Sequence, residues 1–306
     1  MKRIYLKTAI LSLTTFIYSC SENDMNSNEM RVRTVNFTTT VDTRNALSSD
    51  PDGMNLFFAI YDSDTGKKIE TGFDSRSYNY GIVPIEGKNP GQINIEIGND
   101  NKYDIIFWLQ GKDETGYDIT DLKNIKVDYS NANRKEAYCG VLKNYSAEDN
   151  DTKDILLRSP FSVINLFTEK KDAEDARKAG VDISKCTCSF MMDAVADTYH
   201  PLSGEVSCMN RNMVEISSIC RQDHSFFKDE KGYTLLGSAS FLVQDKELVN
   251  TTAVLYNEVI SPIEILLNNV PVRRSFATDI TGSFLTTQVT FNVSIEPNFT
   301  GEYDME

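Results

Sequence analysis

Histidine is almost missing from this chain of 306 residues: only His200 and His224 occur. His200 stands beside Pro201 and His224 lies in Arg-Gln-Asp-His-Ser, loop-like settings in which a solvated ring without a role is expected. Nucleophile, base and acid sets are defined by spatial geometry, and no spacing here points to one. A Gly-rich phosphate loop is also missing. Tryptophan occurs once, as Trp108, inside the apolar run Ile105-Ile106-Phe107-Trp108-Leu109, so it reads as core rather than as a sugar-stacking platform. The 14 tyrosines are scattered. Cys186-Thr-Cys188 has one residue between its thiols, whereas zinc sites usually place two or more between paired ligands. On a strand these two face the same way and read as small core residues. Asp62-Ser63-Asp64-Thr65-Gly66 opens like a calcium loop, but Gly72 stands where the closing glutamate is needed, so a hairpin turn is expected. No catalytic, cofactor-binding or metal-ligating residue is therefore assigned, and the chain is expected to be no enzyme and to need no cofactor.

Positive charge is also scarce. The sequence carries 31 basic and 45 acidic residues, and 28 of the basic ones lie beyond residue 19, where the net charge is −17. Such a surface repels nucleic acid and anionic lipid. There is no apolar run of the roughly 20 residues a membrane helix needs. The first 19 residues do have a basic start (Lys2, Arg3, Lys7) and a short apolar stretch, Thr8 to Tyr18, which is the pattern of a secretory signal. Ile17-Tyr18-Ser19-Cys20 resembles a bacterial lipobox, with Tyr18 in place of the usual small residue. Cys20 is thus the expected lipidation site, and its acyl chains are expected to anchor the protein to the outer membrane. Residues 20–31, polar and acidic, cannot form a core and read as a flexible tether. Their acidity resembles the leader that sends lipoproteins of Bacteroidota-type bacteria to the cell surface. Past Cys20 there are five cysteines, an odd number that argues against a complete disulfide framework.

What the chain has in quantity is alternation. Val35, Phe37, Thr39 and Val41 alternate with polar residues, as do Ile93, Ile95 and Ile97. Val289, Phe291, Val293 and Ile295 repeat the pattern near the end. Each marks a strand with one buried face. Leu56-Phe57-Phe58-Ala59-Ile60-Tyr61 and the run holding Trp108 are continuously apolar, as strands buried on both faces are. Only Glu169 to Ala179 looks helical, with Gly180 as its stop. The expectation is a mainly β chain in which a break near Asp149 to Lys153 separates a unit at 32–152 from one at 153–306.

The stretch Asn268-Asn-Val-Pro-Val-Arg-Arg-Ser-Phe-Ala-Thr-Asp-Ile-Thr-Gly-Ser-Phe-Leu-Thr-Thr, followed by Val289-Thr-Phe-Asn-Val-Ser-Ile, resembles the end of the fimbrillin-like lipoproteins of Bacteroidota, the type V pilins. Tyr103-Asp-Ile-Ile-Phe-Trp, Arg158-Ser-Pro-Phe-Ser-Val-Ile-Asn-Leu, Lys178-Ala-Gly-Val and Leu202-Ser-Gly-Glu-Val are similar to the same group. Ala277 and Thr281 depart from it slightly. The likeness spans about residues 32–300 and looks closest to an uncharacterised branch. It implies two transthyretin-like β-sandwich domains, with the helix in the second.

The resemblance also implies a mechanism. Related pilins arrive as lipoproteins, are cut by an arginine-specific protease after the first strand, lose that strand, and accept a strand from a neighbouring subunit. The matching parts here are Val35, Phe37 and Val41 as the removable strand, Arg44 and Asn45 as the cleavage point, and Val289, Phe291, Val293 and Ile295 as the candidate donor strand. Arg31 and Arg33 are weaker cleavage points, because cutting there leaves the strand in place. The implied partners are other pilin subunits, the outer membrane through the lipid, and a host or bacterial surface receptor. The alternative is a monomeric surface lipoprotein that binds a glycan or host protein, its sandwich serving as a scaffold.

Overall fold

The computed structural model describes residues 32–41, 54–69, 80–85, 92–98, 101–130, 136–146, 148, 152–208, 213–219, 232–257, 261–286 and 290–295. The first strands are β1 (Val32–Val41), β2 (Met54–Asp62), β3 (Tyr80–Ile85), β4 (Gln92–Gly98) and β5 (Tyr103–Gly111). Two short strands, β6 (Tyr117–Asp118) and β7 (Ile125–Val127), precede β8 (Ala137–Tyr145) and β9 (Thr152–Leu157). Sheet order β4-β1-β9 faces sheet order β3-β2-β5-β8 across a core of Val35, Phe37, Leu56, Ile60, Ile95 and Phe107, among others. This is the first β-sandwich.

Alternation is hidden inside the continuous apolar runs. Tyr103, Ile105, Phe107 and Leu109 of β5 point into the first core, whereas Ile106 and Trp108 point the other way, into a second. In β2, Phe58 and Ile60 face the first core, and Ala59 and Tyr61 the second. A strand with both faces buried has no use for polar residues, so the period of two disappears from the sequence although the pleat keeps it.

The chain then forms β10 (Phe161–Thr168), the helix α1 (Lys170–Lys178), β11 (Thr187–Met192), β12 (Thr198–His200), β13 (Glu205–Ser207) and β14 (Val214–Ile219). It ends with β15 (Thr234–Leu242), β16 (Lys246–Tyr256), β17 (Ile263–Arg273), β18 (Ala277–Ser283) and β19 (Thr290–Ile295). Sheet order β15-β10-β18-β19 packs on β14-β11-β16-β17 to make the second sandwich. The helix ends as its glycine demands. Gly180 has φ +87°, and the Val181 N–H reaches back to the Ala176 carbonyl, a turn that L side chains seldom allow. A mainly β chain with one helix in its second half agrees with the sequence expectation.

The strand β9 falls within the segment that was expected to open the second unit. It pairs in parallel with β1, from Asn36↔Thr152 to Val41↔Leu157, and its Ile155 and Leu157 lie in the first core. The chain leaves the first sandwich only after Leu157. Both sandwiches share one plan: the first strand of each (β1, β10) is flanked by an antiparallel neighbour (β4, β15) and by a parallel one from the unit's end (β9, β18). Among the described residues only the second sheet carries a further strand, β19, outside its parallel partner.

A small sheet, order β13-β12-β7-β6, joins the two units, for β6 and β7 come from the first and β12 and β13 from the second. Trp108 meets Tyr117 edge-on at 5.4 Å, and Tyr117 meets Phe161 of β10 at 5.7 Å. The Tyr129 hydroxyl donates to the Ala196 carbonyl at 2.7 Å and accepts from the Leu242 N–H at 3.0 Å. Trp108 itself is fully buried, its indole N–H donating to Gln110 at 2.7 Å. Among the described residues no helix is long and apolar enough to cross a membrane.

Candidate functional site

The strand β1 is central in its sheet, bonded on both edges. Its antiparallel register with β4 runs from Val32↔Gly98 to Thr38↔Gln92, while β9 covers the opposite edge. Val35 and Phe37 are fully buried, Thr39 is buried, and Val41 packs against the same core at its margin. The Phe37 ring lies 5.5 Å from Phe107 and 5.7 Å from Tyr145, centroid to centroid. Burying a side chain of this size contributes roughly 1.5–3 kcal/mol. Two polar atoms of the strand have a worse environment. The Thr39 hydroxyl and the Asn36 side-chain carbonyl are buried and find no hydrogen-bond partner among the described residues. A polar atom left so costs about 1–3 kcal/mol.

Taking β1 away separates β4 from β9 and opens a groove. Its walls would be the edges of β4 and β9, each with unpaired N–H and C=O groups, with Ile95 and Ile155 on them, and its floor Phe107 and Tyr145 of the facing sheet. Sites of β-augmentation in general are built from such edges and pockets, the backbone groups giving affinity and the alternate pockets the register.

Towards the other end of the chain, β19 pairs, among the described residues, with β18 alone, from Ser283↔Thr290 to Thr278↔Ile295. It places the backbone of Phe291, Val293 and Ile295 at a sheet edge. Val289 lies outside the described residues, as do Cys20, Arg44, Asn45, His224 and Cys220.

Other singled-out residues find plain structural roles. His200 uses both ring nitrogens, 2.8 Å from the Asn124 side-chain oxygen and 2.8 Å from the Ser207 hydroxyl, and so ties loop 121–124 to β13. Cys186 and Cys188 are both buried and both belong to the second core. The Asp62–Gly66 segment is a tight turn. The Asp62 carboxylate accepts from the Thr65 N–H and hydroxyl, each at 2.7 Å, and Gly66 adopts φ +67°. Burial pushes the Cys139 thiol up to about 12 against the opposing influence of Tyr199 and Arg274, so it stays protonated and unreactive at neutral pH.

One residue escaped the sequence reading. Asp172 lies in the first turn of α1 and is buried. Its carboxylate accepts from the Phe284 and Leu285 N–H groups, each at 2.8 Å, and from the Thr286 N–H at 3.0 Å. The hydroxyls of Thr168 and Thr286 donate to it as well, each at 2.5 Å. The only sequence signal was the Gly-Ser-Phe-Leu-Thr segment at 282–286, whose amides are the ones captured.

A cleft of about 550 Å³ also opens where loop 127–130 approaches β14, lined by Tyr129, Ser130, Asp197, Met213 and Glu215.

Against this geometry, the model of the Family of unknown function (DUF6562) matches residues 22–306. The chain belongs to that family. No curated protein matches it. Three solved structures share the fold of this DUF6562 member. A candidate adhesin from Bacteroides thetaiotaomicron superposes with TM-score 0.51 at 12% identity, over 86% of this chain and 97% of that one. A candidate cell adhesion protein from Bacteroides uniformis gives 0.53 at 12%, over 86% and 98%. One from Bacteroides ovatus gives 0.50 at 9%, over 87% and 98%. At such identities the likeness is one of fold, and it extends across nearly the whole of each neighbour.

Proposed function

We propose that this DUF6562 protein is a cell-surface fimbrial subunit or accessory lipoprotein, without enzymatic activity, that joins its neighbours by strand exchange. The observation that carries the reading is the position of β1. It is central, bonded on both edges, anchored by Val35 and Phe37, and yet it is the first strand among the described residues. A cut in the segment that follows it severs its covalent tie to the fold and leaves a preformed groove. Cleavage between Arg44 and Asn45 is the proposed trigger, lipidated Cys20 the proposed membrane anchor, and β19 of a neighbouring copy or related subunit the proposed occupant. The buried polar atoms of Asn36 and Thr39, which have no hydrogen-bond partner among the described residues, support a strand that is held less firmly than its apolar contacts allow. The surface role is supported by the neighbours that share the fold, since all three are described as adhesins or cell adhesion proteins.

The deciding experiment is the N-terminal sequence of protein taken from cells, read beside a non-boiled gel. A start at Asn45 together with a ladder is expected. A start at acylated Cys20 with no ladder would overturn strand exchange and leave the second reading, a monomeric lipid-anchored protein that binds a glycan or host protein.

A further inference from the structure

We infer that Asp172 is a positioning residue that separates the fate of β19 from that of β18: it pins the root of the last strand, so that β19 can leave its sheet while β18 stays in place. The argument is one of geometry. In an antiparallel pair, opening the outer strand exposes the inner one, and the disturbance continues inward unless something fixed lies between. Here the fixed point is residues 284–286, which follow β18 and precede β19. Their three consecutive N–H groups converge on one carboxylate, and the Thr286 hydroxyl joins them. Phe284 is fully buried beside this point.

The clamp has a second jaw. The Gly282 carbonyl at the end of β18 accepts from the Glu169 N–H at 2.9 Å, and the Thr168 hydroxyl oxygen lies 3.3 Å from it. Thr168 thus touches both Asp172 and Gly282, and the turn from β10 into α1 grips both sides of the β18 terminus. The inner strand is further held by its parallel partner β10, from Val163↔Ala277 to Thr168↔Gly282, and by the Asn165 amide donating to Asp279 at 2.9 Å. Among the described residues the outer strand has β18 only. Opening free energies differ between neighbouring elements in this way when one is anchored by buried bonds and the other is not.

The separation of the two strands stands on the geometry alone; its use in handing β19 to a neighbour rests on the strand-exchange reading above. Amide hydrogen exchange on the full chain tests it. In the unmodified protein, amides of 290–295 exchange well ahead of those of 277–283. In Asp172→Asn, which keeps the shape but removes the charge, the 277–283 amides accelerate about tenfold or more, as losing one charged hydrogen bond produces, and the two strands exchange at a common rate. Amides of β2 and β5 keep their rates and exclude a general loss of stability. If Asp172→Asn does not fold, Thr286→Val removes one hydroxyl from the clamp and gives a smaller change in the same direction. A common rate for β18 and β19 already in the unmodified protein, or an unchanged ratio in the variants, overturns the inference. Separation of the two rates without any ladder from cells sustains the inference and sinks the strand-exchange reading instead.

Discussion

At the scale of single residues, Phe37, Thr39 and Asp172 have opposite characters. Phe37 fills the first core, and Phe37→Ala leaves a cavity that costs about 3–5 kcal/mol in denaturant unfolding. Thr39 is nearly the shape of valine but buries a hydroxyl that has no partner among the described residues. Thr39→Val is therefore expected to raise stability by about 1 kcal/mol; a loss measured by urea titration would show that the hydroxyl is satisfied. Asp172 is charged, buried and well served. Burial by itself would raise its carboxyl, but the donors Thr168, Thr286, Leu285 and Phe284 outweigh it and hold the group below its ordinary value of 3.8. A carboxyl lowered in this way stabilises the fold fully above that value and loses the contribution as pH falls through the lowered one. The urea midpoints of the unmodified protein and Asp172→Asn are expected to differ at pH 7 and to converge below pH 3.8. A gap that stays constant to pH 2 would mean that the charge is not what the amides bind. Glu169, whose carboxylate faces Ser283 at 3.5 Å, is the neighbouring acid in that comparison.

Among the elements, β8 and β9 close the first sandwich at a point where backbone meets side chain directly. A Cβ on Gly140 would sit 2.7 Å from the Ile155 side chain and 2.8 Å from that of Leu157. Gly140→Ala is expected to cost about 1–3 kcal/mol by overpacking and to weaken the seat of β9, one wall of the groove. Far-UV melting measures it; an unchanged melting temperature would show that β9 yields without cost. The strands β1 and β19 contrast in the same terms. Among the described strands one is central and buried, the other a one-sided edge. An exposed edge offers unpaired backbone groups to other chains, and a strand already at the edge is the easier one to give away.

For the molecule as a whole, the joint between the sandwiches decides the behaviour. The second core runs unbroken from the back of β5 through the shared sheet into the second sandwich, so Trp108 and Phe190 belong to one cluster. Unfolding is accordingly expected to be a single cooperative transition. Fluorescence of Trp108, the sole tryptophan, reports the joint and is expected to coincide with far-UV circular dichroism. Two separated transitions would show that the sandwiches unfold independently.

How much of this was legible follows from which groups speak locally. Alternation at Val35–Val41, at Ile93–Ile97 and at the end of the chain marked β1, β4 and β19, because a half-buried pleat writes its period into the sequence. Gly180 marked the end of α1 for a reason equally local. The doubly buried faces of β2 and β5 were foreshadowed by their apolar runs, although which residue faced which core was not. Long-range order was silent. That β9 closes the first sandwich, that two halves of the chain share a sheet, and that Asp172 reaches amides more than a hundred positions away all depend on pairings between distant segments. A carboxylate on a helix looks solvated in sequence, and only folding brings to it the three N–H groups that make burying its charge favourable.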